Sequence, residues 1–206
     1  MTSRKRLVLA LGIGLLTSFA SLSAAEAQYG YPPPPPRPQG VYRSGFLFGG
    51  SLGAGIISGP DCFSVCGGAF MAEGHLGGML NPRLALMGTA WIGGHYFDDV
   101  TVGTGQTYNT FWTVNLQYWV NDIIWINGGI GIARLQIFLD QDLSGFAYDD
   151  ETGGAITGAA GIEVARSYNW ALDLQIRGGH AFYASQDGNG GNDLNNLAFM
   201  VGLTWY

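Results

Sequence analysis

The sequence predicts an all-β chain of eight antiparallel strands, joined up and down and closed into a barrel. Three observations carry this. From Ser44 onward, apolar side chains recur at every second residue rather than at helical spacing, which is the period of an extended strand. The links between these segments are short and long in strict turn, as in an antiparallel meander. The composition, with 34 Gly, 13% aromatic and only 12% charged residues, has roughly half the charged share of an ordinary soluble domain, so the chain has little with which to cover a water-facing surface.

The first 43 residues read differently. "MTSRKR" is a basic start, "LVLALGIGLLTSFA" an apolar run and "AEA" a small-residue cleavage site, so residues 1–27 are expected to be an export signal, with the mature chain starting at Gln28. The apolar run is shorter than the ~20 residues of a spanning helix, and no cysteine at the cleavage point marks a lipoprotein. Residues 28–43 contain "YGYPPPPPRPQG", which proline holds extended; this is expected to be a periplasmic lead-in acting as a spacer. Residues 44–206 remain for the barrel. Loss of Arg4, Lys5 and Arg6 with the signal leaves no lysine and deepens a net charge that is already −6. A nucleic-acid partner, which needs a basic stripe, is excluded on that ground.

The expected strands are 44–56, 68–80, 84–97, 108–120, 123–138, 153–166, 169–183 and 195–206. In 108–120, Tyr108, Thr110, Trp112, Val114, Leu116, Tyr118 and Val120 share one face, and Thr113, Asn115 and Gln117 the other. Leu172, Leu174 and Ile176 oppose Asp173, Gln175 and Arg177 in 169–183. Glu73 and His75 oppose Phe70, Ala72 and Leu76 in 68–80, and Glu163 opposes Ile162 and Val164 in 153–166. The tight links are "NPR", "ND" and "SY"; the others run to about a dozen residues each.

Two barrels use such strands, and they differ in which face is dry. A soluble, lipocalin-like barrel keeps its apolar face inside. Eight strands enclose room only for close-packed side chains, too little for Trp112, Tyr118, Ile124, Ile126, Ile130, Ile132 and Trp170 together. The bulky set therefore belongs outside, in lipid, where only a closed sheet pairs every backbone polar group. The expected fold is thus a transmembrane β-barrel. Aromatic residues mark both ends: Trp119, Trp125, Trp170, Trp205 and Tyr206 near the short links, and Tyr96, Tyr108, Trp112, Phe138, Phe182 and Tyr183 toward the long ones. Trp119 and Trp125 fall on the inward parity, so a phase slip or bulge is expected near the turn between them.

With that pattern, residues 44–206 resemble the small eight-stranded outer-membrane barrels of the OmpA-transmembrane-domain and OmpX-like type. The resemblance implies a monomer in the bacterial outer membrane of a Gram-negative cell, with short turns in the periplasm. It also implies insertion by the barrel-assembly machinery, which reads an alternating, aromatic-ended last strand, and surroundings of outer-membrane lipid and lipopolysaccharide. The chain departs in its last residue, where Tyr206 replaces the usual Phe, one position out of phase with the alternation Leu197, Phe199, Val201, Leu203, Trp205.

Inside such a barrel, Glu73, His75, Glu163, Asp173 and Arg177, with Arg166 as a further candidate, are expected to pair in a network that plugs the lumen, in preference to a proton path or narrow pore. Cys62 and Cys66, in "GPDCFSVCGG", are the only cysteines; export places them in an oxidising compartment, which favours a local disulfide over a two-thiol metal site. Asp140, Asp142, Ser144, Gly145 and Glu151 fall at positions 1, 3, 5, 6 and 12 of a calcium-loop pattern. The flanks of that loop read as strands, however, so no cofactor is expected beyond this candidate calcium site. The long loops carry Asp61, Asp98, Asp99, Asp140, Asp142, Asp149, Asp150, Glu151, Asp187 and Asp193 and no basic residue, a surface able to meet divalent cations bridging lipopolysaccharide. The expected role is structural or surface interaction. A lipid A-modifying acyl transferase or deacylase is the rival, but of His75, His95 and His180 only His180 has a serine nearby (Ser185), and no His-x-Ser pattern occurs.

Overall fold

The structure, a computed structural model, describes residues 41, 43–59, 66–99, 103–139, 147–183 and 193–206. All belong to a unit spanning Gln39–Tyr206; the other unit, Met1–Pro38, lies outside the described residues, as do the signal and most of the lead-in. Eight strands form one closed antiparallel barrel in sequence order: β1 (Phe46–Ser58), β2 (Gly67–Asn81), β3 (Leu84–Asp99), β4 (Gly103–Trp119), β5 (Ile124–Leu139), β6 (Ala147–Arg166), β7 (Trp170–Phe182) and β8 (Leu194–Trp205). Closure runs from Phe48↔Trp205 to Ser58↔Asn195 between β1 and β8.

Two strands start well ahead of the expected residue. β4 starts at Gly103 rather than 108 and β6 at Ala147 rather than 153, because the ladders continue beyond the apolar alternation, to Asp99↔Gly103 and Phe138↔Ala147. Polar and glycine residues can extend a hairpin wherever water meets it, and alternation gives no signal there.

The outward face is apolar. Phe199 is 69% exposed, Ile130 71% and Val114 59%, values that only a surrounding lipid phase makes tolerable. Apart from Asn81 beside a short turn, the described outward strand positions carry no charged or amide side chain until Asp98, Gln106, Arg134, Gln136, Asp150, His180 and Asn195 toward the long-loop ends.

Inward residues form layers. Leu47, Ala85, Met87, Trp119 and Trp125 pack at the short-turn end, with Met79, Ala159 and Tyr206 against them. Trp91, Phe111, Met71, Leu135 and Met200 anchor a second apolar cluster toward the long loops. Between the two lies a polar belt that includes Ser51, Glu73, Asn115, Thr157, Asp173, Gln175 and Arg177, all buried.

The expected slip between Trp119 and Trp125 does not occur. The two are direct partners across the β4–β5 hairpin, and both point into the lumen. Their parity needed no repair, because a tryptophan at the short-turn end can fill the barrel as well as ring it. The register shifts lie elsewhere, at Met79/Asn81, Ile137/Phe138 and Glu163/Ala165.

The outward face generates a direct expectation. Val114→Arg puts a guanidinium into lipid midway along β4 and lowers unfolding stability by about 2–4 kcal/mol, read as an earlier urea transition in lipid vesicles. The same charge at Gln106, near the long loops, changes it by less than about 1 kcal/mol; equal costs at both positions would contradict a lipid-facing wall.

Candidate functional site

At the short-turn end, everything converges on Glu163. Glu163 faces the inward Asp173 on β7, and the β-bulge at Val164 follows directly after it. Arg43 donates from Nη2 to Glu163 Oε2 at 2.6 Å and to the Asp122 carbonyl at 2.8 Å. Its guanidinium carbon stands 4.8 Å from the Trp119 ring centroid and 5.8 Å from that of Tyr206, a cation stacked between aromatic faces. Trp119 Nε1 donates to Glu163 Oε1 at 2.8 Å, and the Tyr206 hydroxyl reaches the same oxygen at 3.4 Å. Arg43 is 9% exposed and Glu163 5%, so the pair is desolvated, and its charge-assisted hydrogen bonds offset part of that cost. Burial and the neighbouring Glu163 push the Tyr206 phenol above the usual tyrosine range, which keeps its hydroxyl a donor. Gly45, at φ 73°, turns the chain between Arg43 and β1; a side chain would be strained there.

The belt above is centred on Glu73. Its carboxylate accepts from Ser51 Oγ at 2.8 Å and meets His75 Nδ1 at 3.0 Å and Arg177 Nη2 at 3.6 Å. His75 Nε2 lies 3.1 Å from Thr204 Oγ1. Arg177 donates to Gln175 Oε1 at 3.1 Å and lies 5.9 Å from the Trp91 ring. Asp173 faces Glu163 across β6–β7 and Gly202 across β7–β8. A Cβ on Gly202 would stand 2.8 Å from both Asp173 Oδ1 and Gln175 Nε2, so the belt occupies the space a side chain there would need. Higher still, Trp91 stacks on Phe111 at 5.1 Å, and Tyr183 donates to Asn109, which donates to Asn196. Thr204, His75 and Glu73 have the connectivity of a nucleophile–base–acid relay. Thr204 is 6% exposed.

Glu73, His75, Glu163, Asp173 and Arg177 thus all lie in the lumen, in two groups rather than one. Arg166 does not join them. As the last residue of β6 it stands exposed at the short-turn end, where it donates to the Asp122 carbonyl at 2.8 Å. Tyr206 is not an interfacial residue beside Trp205: Trp205 stacks outside on Phe48 at 5.4 Å, while Tyr206, one position out of phase, turns in against Trp119. The residue missed was Arg43, left in the lead-in. The signal was available, since odd-numbered positions of β1 face inward and 43 continues that parity.

Cys66 packs against the apolar cluster near the long loops, and Cys62 lies outside the described residues. Asp140, Asp142 and Ser144 also lie outside them. Glu151 sits within β6, partnered with Leu135. Among the described residues no group of three or more His, Cys, Asp or Glu is disposed to hold a metal.

The closed barrel and its apolar outer wall together define an integral outer-membrane protein. Residues 13–206 match the family model described as "Outer membrane protein beta-barrel domain", and the chain belongs to that family. No curated protein matches it. Among solved structures it is similar to Neisserial surface protein A, with a TM-score of 0.57, 14% identity, and coverage of 79% of this chain and 97% of that one. It is also similar to Ail, the attachment invasion locus protein of Yersinia pestis, solved with the heparin analogue sucrose octasulfate, with a TM-score of 0.53, 13% identity, and coverage of 79% and 98%. At these identities the likeness is one of fold.

The Glu163 cluster sets a double-mutant expectation. Glu163→Gln leaves Arg43 buried without its counter-charge and destabilises the folded barrel by about 3–5 kcal/mol, measured by urea unfolding in vesicles. Arg43→Met combined with Glu163→Leu recovers most of that loss; a double variant as unstable as the single one would show that the two residues do not act as a pair.

Proposed function

We propose that this protein is a sealed outer-membrane barrel with a structural or surface-interaction role, its lumen plugged by polar and charged side chains and its acidic long loops turned outward as the contact surface. The single observation that carries this is the succession of paired and stacked side chains along the lumen. Arg43, Glu163, Trp119 and Tyr206 close one end; Glu73, His75 and Arg177 fill the middle; Trp91 and Phe111 are stacked above them. In so narrow a barrel an ion meets Glu163 already held by Arg43, and Glu73 already held by His75 and Arg177.

The loop chemistry supports a particular kind of contact. Ail was solved with a polyanion. The loops of this chain are acidic and would repel such a ligand, so the reading favours cationic partners, or lipopolysaccharide reached through divalent cations. Asp140, Asp142, Ser144 and Glu151 supply the oxygen ligands that calcium would use. Cys62 and Cys66 form a disulfide that staples the first long loop. The alternating β8, ending in Trp205 and Tyr206, is the segment read by the barrel-assembly machinery.

In a planar lipid bilayer the purified mature chain leaves the baseline current unchanged. Discrete conductance steps would instead favour the narrow-pore reading. Mass analysis of the intact chain gives one Cys62–Cys66 bond, and alkylation without prior reduction adds nothing; uptake of two alkyl groups would overturn the disulfide.

A further inference from the structure

The wall that faces lipid has a recess, and a cation stands at its upper end. Gly74 and Gly88 on β2 and β3, with Ala90, are the floor of a groove of about 730 Å³ whose sides are Leu76, Trp112, Val114, Ile130 and Ile132. Gly74, Ala90, Trp112 and Ile132 are successive register partners across four strands, so the groove crosses the ladder rather than following one strand. It is open space: a Cβ on Gly74 meets nothing within 4 Å, and one on Gly88 meets only the Leu76 carbonyl oxygen at 3.9 Å.

Arg134 follows Ile130 and Ile132 along the outward face of β5, about 7 Å beyond Ile132 toward the long loops at the rise of a strand. At that end it is the one guanidinium on the described outward strand faces. Its register partners are Thr110 and Thr152, and Tyr108 and Gln136 are nearby polar groups on the same wall. Asp150 of β6 takes its Nε, at 2.7 Å, and its Nη2 in a side-on pair. That pairing fixes the guanidinium plane and leaves the Nη1 end without an acceptor among the described residues. Both side chains remain partly exposed, Arg134 at 43% and Asp150 at 39%.

We propose that the groove and Arg134 form a binding site for lipid A, with an acyl chain in the recess over Gly74, Gly88 and Ala90 and a head-group phosphate on Nη1 of Arg134. Charge complementarity selects the occupant. The groove offers an acyl chain no polar partner, and the first cation above it stands where apolar wall gives way to polar belt, the depth at which an anionic head group begins. The site rests on the orientation proposed above, with long loops outward, which sets Arg134 in the leaflet that holds lipopolysaccharide.

Native mass spectrometry of the mature chain in detergent, titrated with bisphosphorylated lipid A, tests this. One lipid A is retained, and Arg134→Gln and Gly88→Leu each weaken retention about tenfold. Dephosphorylated lipid A binds wild type and Arg134→Gln alike, and Asp150→Asn binds lipid A at least as well as wild type. Heat-modifiable gel mobility confirms that each variant is folded. The proposal is overturned by equal retention of lipid A in wild type and Arg134→Gln, by no effect of Gly88→Leu, or by phosphatidylglycerol held as tightly as lipid A. Ion conduction, or long loops facing the periplasm, would defeat the sealed-barrel reading while leaving these affinities unchanged, so the two failures are distinguishable.

Discussion

The structure depends on one constraint: in hydrocarbon no water is present to pair a stranded backbone N–H or C=O. Every strand therefore needs two neighbours, and β1 must return to β8, from Phe48↔Trp205 to Ser58↔Asn195. Closure with eight strands fixes a narrow interior. That narrowness reverses the usual arrangement, sending Phe199, Ile130 and Val114 outward and keeping Glu73, Glu163, Asp173 and Arg177 within. It also explains glycine where inner side chains crowd the wall. A Cβ on Gly179 would stand 2.7 Å from the Trp91 ring, so the stacked Trp91 and Phe111 occupy space that a larger residue on β7 would take.

A narrow lumen makes buried charge a matter of exact partnership in space. Two carboxylates have a guanidinium each: Glu163 has Arg43 and Glu73 has Arg177. The two centres differ in construction. Around Glu73 the partners come from strands alone, with Ser51 from β1, His75 from β2 and Arg177 from β7. Around Glu163 they include Arg43, ahead of the first strand, and Tyr206, after the last, so one carboxylate ties together the segments that flank β1 and β8.

Much of this was legible in the sequence. Strand number, order and the outward set follow from alternation, because the side-chain period of two is a local property of extended backbone. The inward charges Glu73, Glu163, Asp173 and Arg177 were legible for the same reason. The added lengths of β4 and β6 were not, since hairpin extensions in water need no apolar face. Nor were the roles of Trp119 and Trp125, because alternation assigns a face without saying whether an aromatic there meets lipid or fills a cavity. Arg43 was missed because the proline-rich segment before it masked the continuing parity of β1.

The sequence by itself determined an exported β-barrel for the outer membrane: its strands, its meander and the polarity of its two faces are all encoded within a few residues of each position. Only the tertiary structure decided which residues meet. Arg43 and Glu163 are 120 residues apart, and Asn109 and Asn196 are 87 apart. Their pairing depends on register and shear accumulated around the closed sheet, and on single inserted residues such as the bulge beside Glu163. A one-residue change in register reverses every side chain downstream of it, so the partnerships in the lumen are a property of the whole closed ring and of no single strand.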